Sequence, residues 1–330
     1  MSTSTPVKTP KKTAATKTLA ETNSKVKSGP AVKPSVDKSA SDVIAANTII
    51  KIVIAKDVVK STYQKVLIKL AKTTATPGFR KGKAPLEIAE DVIGRSKLIE
   101  KTFNEVVAHE YYHAVVDQKK QPITQPEFDP ISLEMDKDWE VEAHFAERPE
   151  IKLGDFTKTV KAALKTAEAE LAEHLKQDHP DHDHKPEALE AETKEVKLRQ
   201  IFKSLVETIR PAIPEMLLRQ ETRFELDDLI KNLEQLKLKI EDYIAKRQIT
   251  TQELSNELAA TALGKLQLEF ILGAIAKEQK VTVSAAESDK VLNDIKDEAT
   301  RTKIKADSET MRQLEVSLIR QKVVDYLLNL

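Results

Sequence analysis

Residues 76–85 read Thr76-Pro77-Gly78-Phe79-Arg80-Lys81-Gly82-Lys83-Ala84-Pro85. The two glycines permit backbone with positive φ, and a proline on each flank stiffens what lies between. The stretch displays one aromatic ring, Phe79, among three cations, Arg80, Lys81 and Lys83. An apolar ring in a polar loop stays in water unless it inserts into a partner, and cations beside it suit phosphates or carboxylates. Composition alone leaves two readings level, a recognition loop and an ordinary solvated turn.

The flanks set the fold class. Upstream, Thr48, Ile50, Ile52 and Ile54 alternate with Ile49, Lys51, Val53 and Ala55, the period of a strand, and structure is expected to begin near Asn47. Asp57 is placed to cap a helix on which Val59, Tyr63, Val66, Leu67 and Leu70 share a face. Downstream, Pro85 opens a short helix to Ile93 and Gly94 ends it. A longer helix follows with Ile99, Phe103, Val106, Val107, Tyr111 and Ala114 on one side, and Pro122, Pro126 and Pro130 mark its exit. Two alternating runs, Ile131-Leu133-Met135 and Trp139-Val141-Ala143-Phe145, then form a hairpin about Asp136-Lys137-Asp138. Strand, helices and hairpin make an α+β domain, a small antiparallel sheet with helices on one face.

In that setting the loop resembles the G-F-R-x-G-K-x-P ribosome-docking signature of the trigger factor family, the bacterial ribosome-associated chaperones. Gly78, Phe79, Arg80 and Lys83 match it, and Lys81, Gly82 and Pro85 agree with common members. The resemblance extends from Ile49 to Leu70 and through the hairpin into Arg148-Pro149-Glu150-Ile151-Lys152-Leu153-Gly154. Further on, Ile213-Pro214-Glu215-Met216-Leu217-Leu218 resembles the entry into the family's client-cradling arms, and Leu263–Val283 a later arm helix. It implies docking on the large ribosomal subunit near the exit tunnel, on protein and rRNA, through Gly78, Phe79, Arg80, Lys81, Gly82 and Lys83. Unfolded nascent polypeptides are the implied clients.

Beyond Phe156 the texture becomes helical: Lys158 to Leu330 holds two glycines and five aromatics. Leu226, Leu229, Leu233, Leu236, Ile240 and Tyr243 step by three and four, as in a coiled-coil seam opened by Pro214. Apolar residues exceed what one narrow seam uses, which suggests client contacts at Leu266, Phe270, Ile271, Leu318 and Leu327. Burial against a neighbouring helix is the competing account. Family members usually insert a β-rich prolyl isomerase domain after the docking domain. Asp155 to Leu263 has no glycine and only Phe156, Phe202, Phe224 and Tyr243 as aromatics. A β-rich isomerase needs turn glycines and an aromatic-lined pocket, so the domain is expected to be absent and the chain not to be an enzyme.

Composition sets the outer bounds. The chain has 330 residues, about two domains' worth, with 53 basic and 53 acidic side chains. Zero cysteines exclude disulfides, a thiol nucleophile and Cys-ligated metal. Neither a P-loop nor a dinucleotide-binding glycine pattern occurs. The longest charge-free apolar stretch, near Phe270 to Ala276, is far short of a membrane span, and no secretory leader is visible. A cytoplasmic protein with no cofactor and no membrane partner is expected. Charge is segregated: residues 1–40 carry +6, 51–101 carry +7 and 102–157 carry −8. A basic first third suggests a polyanionic partner, which keeps a nucleic-acid-binding protein open as an alternative beside the isomerase.

The expected organisation is a disordered basic tail over 1–46, a ribosome-binding domain over 47–155, a helical connector over 156–200 and an all-α chaperone domain over 201–330. Composition favours a solubilising role for the tail over nucleic-acid contact, with a transit peptide the weaker third reading. The cluster His174, Asp178-His179-Pro180-Asp181-His182-Asp183-His184 can offer metal ligands but reads better as a solvated turn. His109 and His113, one helical turn apart, are a second possible ligand pair, with a helix surface favoured.

Overall fold

A computed structural model describes residues 43–177, 186–295 and 297–330. The first half runs β1 (Ile44–Ala45), β2 (Thr48–Ile54), α1 (Lys56–Thr73), α2 (Leu86–Ile93), α3 (Arg95–Asp117), β3 (Glu127–Ser132) and β4 (Trp139–Phe145). Strands β2, β4 and β3 form an antiparallel sheet in that order, with Ile50 opposite Ala143, Ile52 opposite Val141 and Ile54 opposite Trp139. Because side chains alternate, Ile50, Ile52, Ile54, Trp139, Val141, Ala143 and Phe145 share one face, and all are buried. Helix α3 covers that face with Val106 and Val107, and Ile99, Phe103 and Tyr111 pack beside them. Tyr111 meets Phe128 and Phe145 edge-on at 5.5 and 5.9 Å, contacts that add about 0.5–1.5 kcal/mol each to simple burial.

Two local expectations change here. Helix α1 starts at Lys56 rather than at an Asp57 cap: Asp138 of the hairpin turn accepts the Lys56 N–H at 2.9 Å. Asp57 sits in the first turn, where a carboxylate suits the helix dipole. The first hairpin strand is Glu127–Ser132, not 131–135, with a register shift between Pro130 and Ser132 that leaves Ile131 exposed. Pro130 is tolerated because β3 is an edge strand, where a missing N–H breaks no interior ladder.

Order also begins before Asn47. Strand β1 pairs in parallel with β5 (Ile213–Pro214), and the Val43 carbonyl accepts the Ile213 N–H at 2.8 Å. Asn47 caps a helix far along the chain. Its Oδ1 accepts the Met216 N–H at 2.8 Å and its Nδ2 donates to Glu215 at 2.9 Å. The expected tail over 1–46 lies, up to residue 42, outside the described residues.

The second half is α4 (Phe156–Gln177), α5 (Pro186–Ile209), β5, α6 (Glu215–Gln235), α7 (Ile240–Arg247), α8 (Thr251–Glu278), α9 (Ala285–Asn293), α10 (Glu298–Ala306) and α11 (Ser308–Leu328). Helix α8 is central. Its Ile271, Leu272 and Ile275 bury against Phe156 and Val160 of α4, Ile201 and Leu205 of α5, and Val323 and Leu327 of α11. The boundary expected at residue 200 therefore crosses α5, a full member of this core. Among the described helices α8 is the one long and apolar enough to cross a membrane, despite the shortness of its charge-free run. One side of it instead serves this core, and Lys265 on another side bridges to Glu221 and Glu225 of α6 at 2.5 and 2.9 Å.

The coiled-coil seam does not persist as one helix. Leu226, Leu229 and Leu233 lie on α6, which stops at Gln235, whereas Ile240 and Tyr243 lie on α7. Lys237 takes φ +58°, its N–H returns to Glu234 and the Leu238 N–H returns to Leu233, the double bond of a Schellman cap. Leu236 is left 69% exposed. Replacing Leu327, fully buried, by Ala should lower unfolding free energy by about 2–5 kcal/mol in urea titrations. Leu236→Ala should change it by no more than about 0.5 kcal/mol; a comparable loss at both positions would contradict the broken seam.

Candidate functional site

The loop at 76–85 hangs between two helices that are tied together. At the end of α1 the Leu70 carbonyl accepts from the Thr74 N–H and from the Thr73 and Thr74 hydroxyls, at 2.9–3.0 Å. Two turns follow: Phe79 N–H donates to Thr76 at 3.1 Å, and Lys83 N–H to Arg80 at 2.9 Å. Gly78 and Gly82 sit at φ +80° and +74°, where L side chains are strained. A Cβ on Gly82 would stand 3.1 Å from the Lys72 carbonyl oxygen, whereas one on Gly78 would meet open space. Pro85 precedes α2 as its N-cap rather than as its first helical residue, and Gly94 closes it at φ +86°. Beneath, the Tyr63 hydroxyl of α1 donates to Glu90 of α2 at 2.7 Å. Burial, and then the Glu90 carboxylate, push the Tyr63 pKa up to about 12, so the phenol remains a donor at any physiological pH.

This frame leaves the recognition side chains outward. Phe79 is 43% exposed, and Arg80, Lys81 and Lys83 are exposed. Among the described residues none of these cations has an ion-pair partner within 4.0 Å. Sequence reasoning missed the neighbours: Leu86, Ile88 and Val92 of α2 are also exposed. Their signal was available, since the eight-residue helix LEIAEDVI carries more apolar residues than its one buried position, Ala89, can use.

The arm candidates fare differently. Leu266, Ile271 and Leu327 are buried core residues, so they hold the arm body together rather than offering a surface to clients. Phe270 and Leu318 are half-buried. Among the described residues the exposed large apolar side chains of this half are instead Phe224 midway along α6, Leu236 and Leu238 at the turn after it, and Val316 on α11. No sequence signal separated these from core residues, because the break at Lys237 decides which leucines lose their partners. Of the histidine cluster, Asp178 to His184 lie outside the described residues.

Comparison with known proteins follows this division. A family model described as bacterial trigger factor protein matches residues 36–177, and one described as its C-terminus matches residues 165–329. The chain belongs to the bacterial trigger factor family. The two matches overlap inside α4, so no stretch between them remains for an inserted domain. The trigger factor of Streptococcus mutans is 30% identical over 133 residues, 39% of this chain and 31% of that protein. That of Streptococcus uberis is 34% identical over 108 residues, 33% of this chain and 25% of that protein. Each aligned stretch thus spans less than a third of the relative's length. A solved structure of the trigger factor chaperone, described for promiscuous substrate recognition in folding and assembly, superposes with TM-score 0.59. That match covers 86% of this chain and 97% of the other at 14% identity, which establishes a shared fold.

The loop geometry separates the two family glycines. Gly78→Ala should cost about 1–2 kcal/mol for its left-handed backbone alone. Gly82→Ala should cost more, because the methyl also meets the Lys72 carbonyl. Urea unfolding of the two variants checks the order; equal stability of Gly82→Ala and wild type would show that the loop does not pack on α1 as described.

Proposed function

We propose that the chain is an ATP-independent chaperone of the cytoplasm. It docks on the large ribosomal subunit beside the exit tunnel and holds emerging polypeptides. The observation that carries this reading is the exposure of Phe79 among three cations that have no ion-pair partner among the described residues, on a loop whose frame is fixed by Gly82 and the Tyr63–Glu90 bond. Exposed Arg80, Lys81 and Lys83 suit rRNA phosphates or acidic side chains of a ribosomal protein. They would make association fast and sensitive to salt. Phe79 would then insert as the apolar anchor, and Leu86, Ile88 and Val92 would widen the dry part of the contact.

The arms support the second half of the proposal. Phe224, Leu236, Leu238 and Val316 are separate exposed apolar positions rather than one deep pocket. Such points give a client many weak contacts, which hold a chain collectively and release it singly without an energy source. The reading gives the chain no isomerase activity. Its support is the joining of the docking half to the arms through the helices α4 and α5, in the place of a β-rich insertion. The arms, together with residues 156–200, act as one client-holding body in this proposal, and 47–155 as the docking domain.

The test is co-sedimentation with purified ribosomes. Phe79→Ala, Arg80→Ala and Lys81→Ala combined should reduce association at least tenfold at moderate salt, with melting temperature nearly unchanged because exposed positions contribute little stability. Undiminished co-sedimentation of a folded triple variant would remove the loop from the docking role.

A further inference from the structure

Helix α3 presents two histidines to solvent. His109 and His113 are exposed and one helical turn apart, with ring centroids 4.5 Å apart at 64° and Nε2 atoms 3.3 Å apart. Two nitrogens bound about 2.0–2.1 Å from one tetrahedral zinc stand about 3.3–3.4 Å apart. The observed separation, that of a ring N–H···N contact, also equals about the edge length of a zinc tetrahedron. A carboxylate completes the motif: Glu110 Oε1 lies 3.2 Å from His109 Nδ1. With the proton of His109 on Nδ1 and donated to Glu110, the lone pair of Nε2 is left free for a metal.

We infer that His109 and His113 form a surface site for a divalent transition metal of the zinc class, with Glu110 positioning His109. The metal-free pair is held by a ring N–H···N contact, so binding needs His113 to carry its proton on Nδ1 and both exposed rings to turn slightly about χ2. Acidic residues stand one turn beyond each histidine, Glu105 before His109 and Asp117 after His113. Glu105 is shared with Lys69 at 3.7 Å, and among the described residues no third His, Asp or Glu joins the pair in a metal-holding group, so water completes the shell. Bound there, the metal would clamp one turn of α3, the helix whose Val106, Val107 and Tyr111 close the sheet core. It would stabilise the folded state by preferential binding.

The probe is Zn²⁺ added to the full chain, read by ring nitrogen and carbon NMR shifts of assigned histidines. This readout distinguishes the pair from His174, His179, His182 and His184. The expected result is a joint shift of His109 and His113 at their Nε2 atoms, with one equivalent of zinc. His113→Asn should remove the His109 response over the same zinc range. Glu110→Gln should weaken it about tenfold or more. Zinc should also raise the melting temperature of wild type more than that of His113→Asn. Independent behaviour of His109 in the His113→Asn variant, or zinc shifts confined to the other histidines, would overturn the site.

Discussion

The side chain of Asn47 joins the two halves of the molecule. One amide oxygen accepts the Met216 N–H at the start of α6, and the amide nitrogen donates to Glu215, 168 residues away in sequence. Beside it, Val43 to Ala45 pair with Ile213 and Pro214, and Arg219 of α6 reaches Glu127 of β3 at 2.6 Å. A helix start otherwise leaves several backbone N–H groups without partners. Here one of them is satisfied by the residue that leads into β2. The entry to the arms is thereby fixed to the sheet that carries α1 and, through α1, the loop at 76–85. The proposed division of labour, docking at one end and holding at the other, needs this junction to transmit position.

Scarcity of glycine is the second constraint. Seven glycines serve the whole chain, yet α3, α6, α7 and α8 all end with a left-handed residue: Lys119, Lys237, Gln248 and Lys280. Each makes the paired return hydrogen bonds of a Schellman cap. A lysine or glutamine in that conformation costs about 1–2 kcal/mol relative to glycine. The two returned hydrogen bonds, together with a solvated polar side chain, offset that cost. Turns that sequence punctuation marks with glycine are marked here by lysine or glutamine, residues that a helix interior also accepts.

That substitution explains which parts of the molecule were legible. The alternation of Ile50, Ile52 and Ile54 and the helical spacing of Tyr63, Val66 and Leu67 report burial directly, and the sheet and its helices follow from them. Gly78, Gly82 and Gly94 announce the frame of the loop because their conformations have no easy alternative. The break after Gln235 was hidden, since Leu236 and Leu238 continue an apolar rhythm that a Lys237 cap interrupts. With the break went the distinction between core and surface, so Leu266, Ile271 and Leu327 read as client contacts when they are core. The role of Asn47 was equally invisible, because a cap supplied across 169 residues leaves no local pattern.

The most direct test of the account places a photo-activatable cross-linker at Leu236, whose exposure tolerates it, in full-length protein bound to ribosomes carrying a stalled nascent chain. The account predicts an adduct with the nascent chain that disappears when Phe79→Ala and Arg80→Ala are introduced together. An adduct of equal yield from the loop variant, or none from protein that remains ribosome-bound, would contradict the coupling of loop docking to capture by the arms.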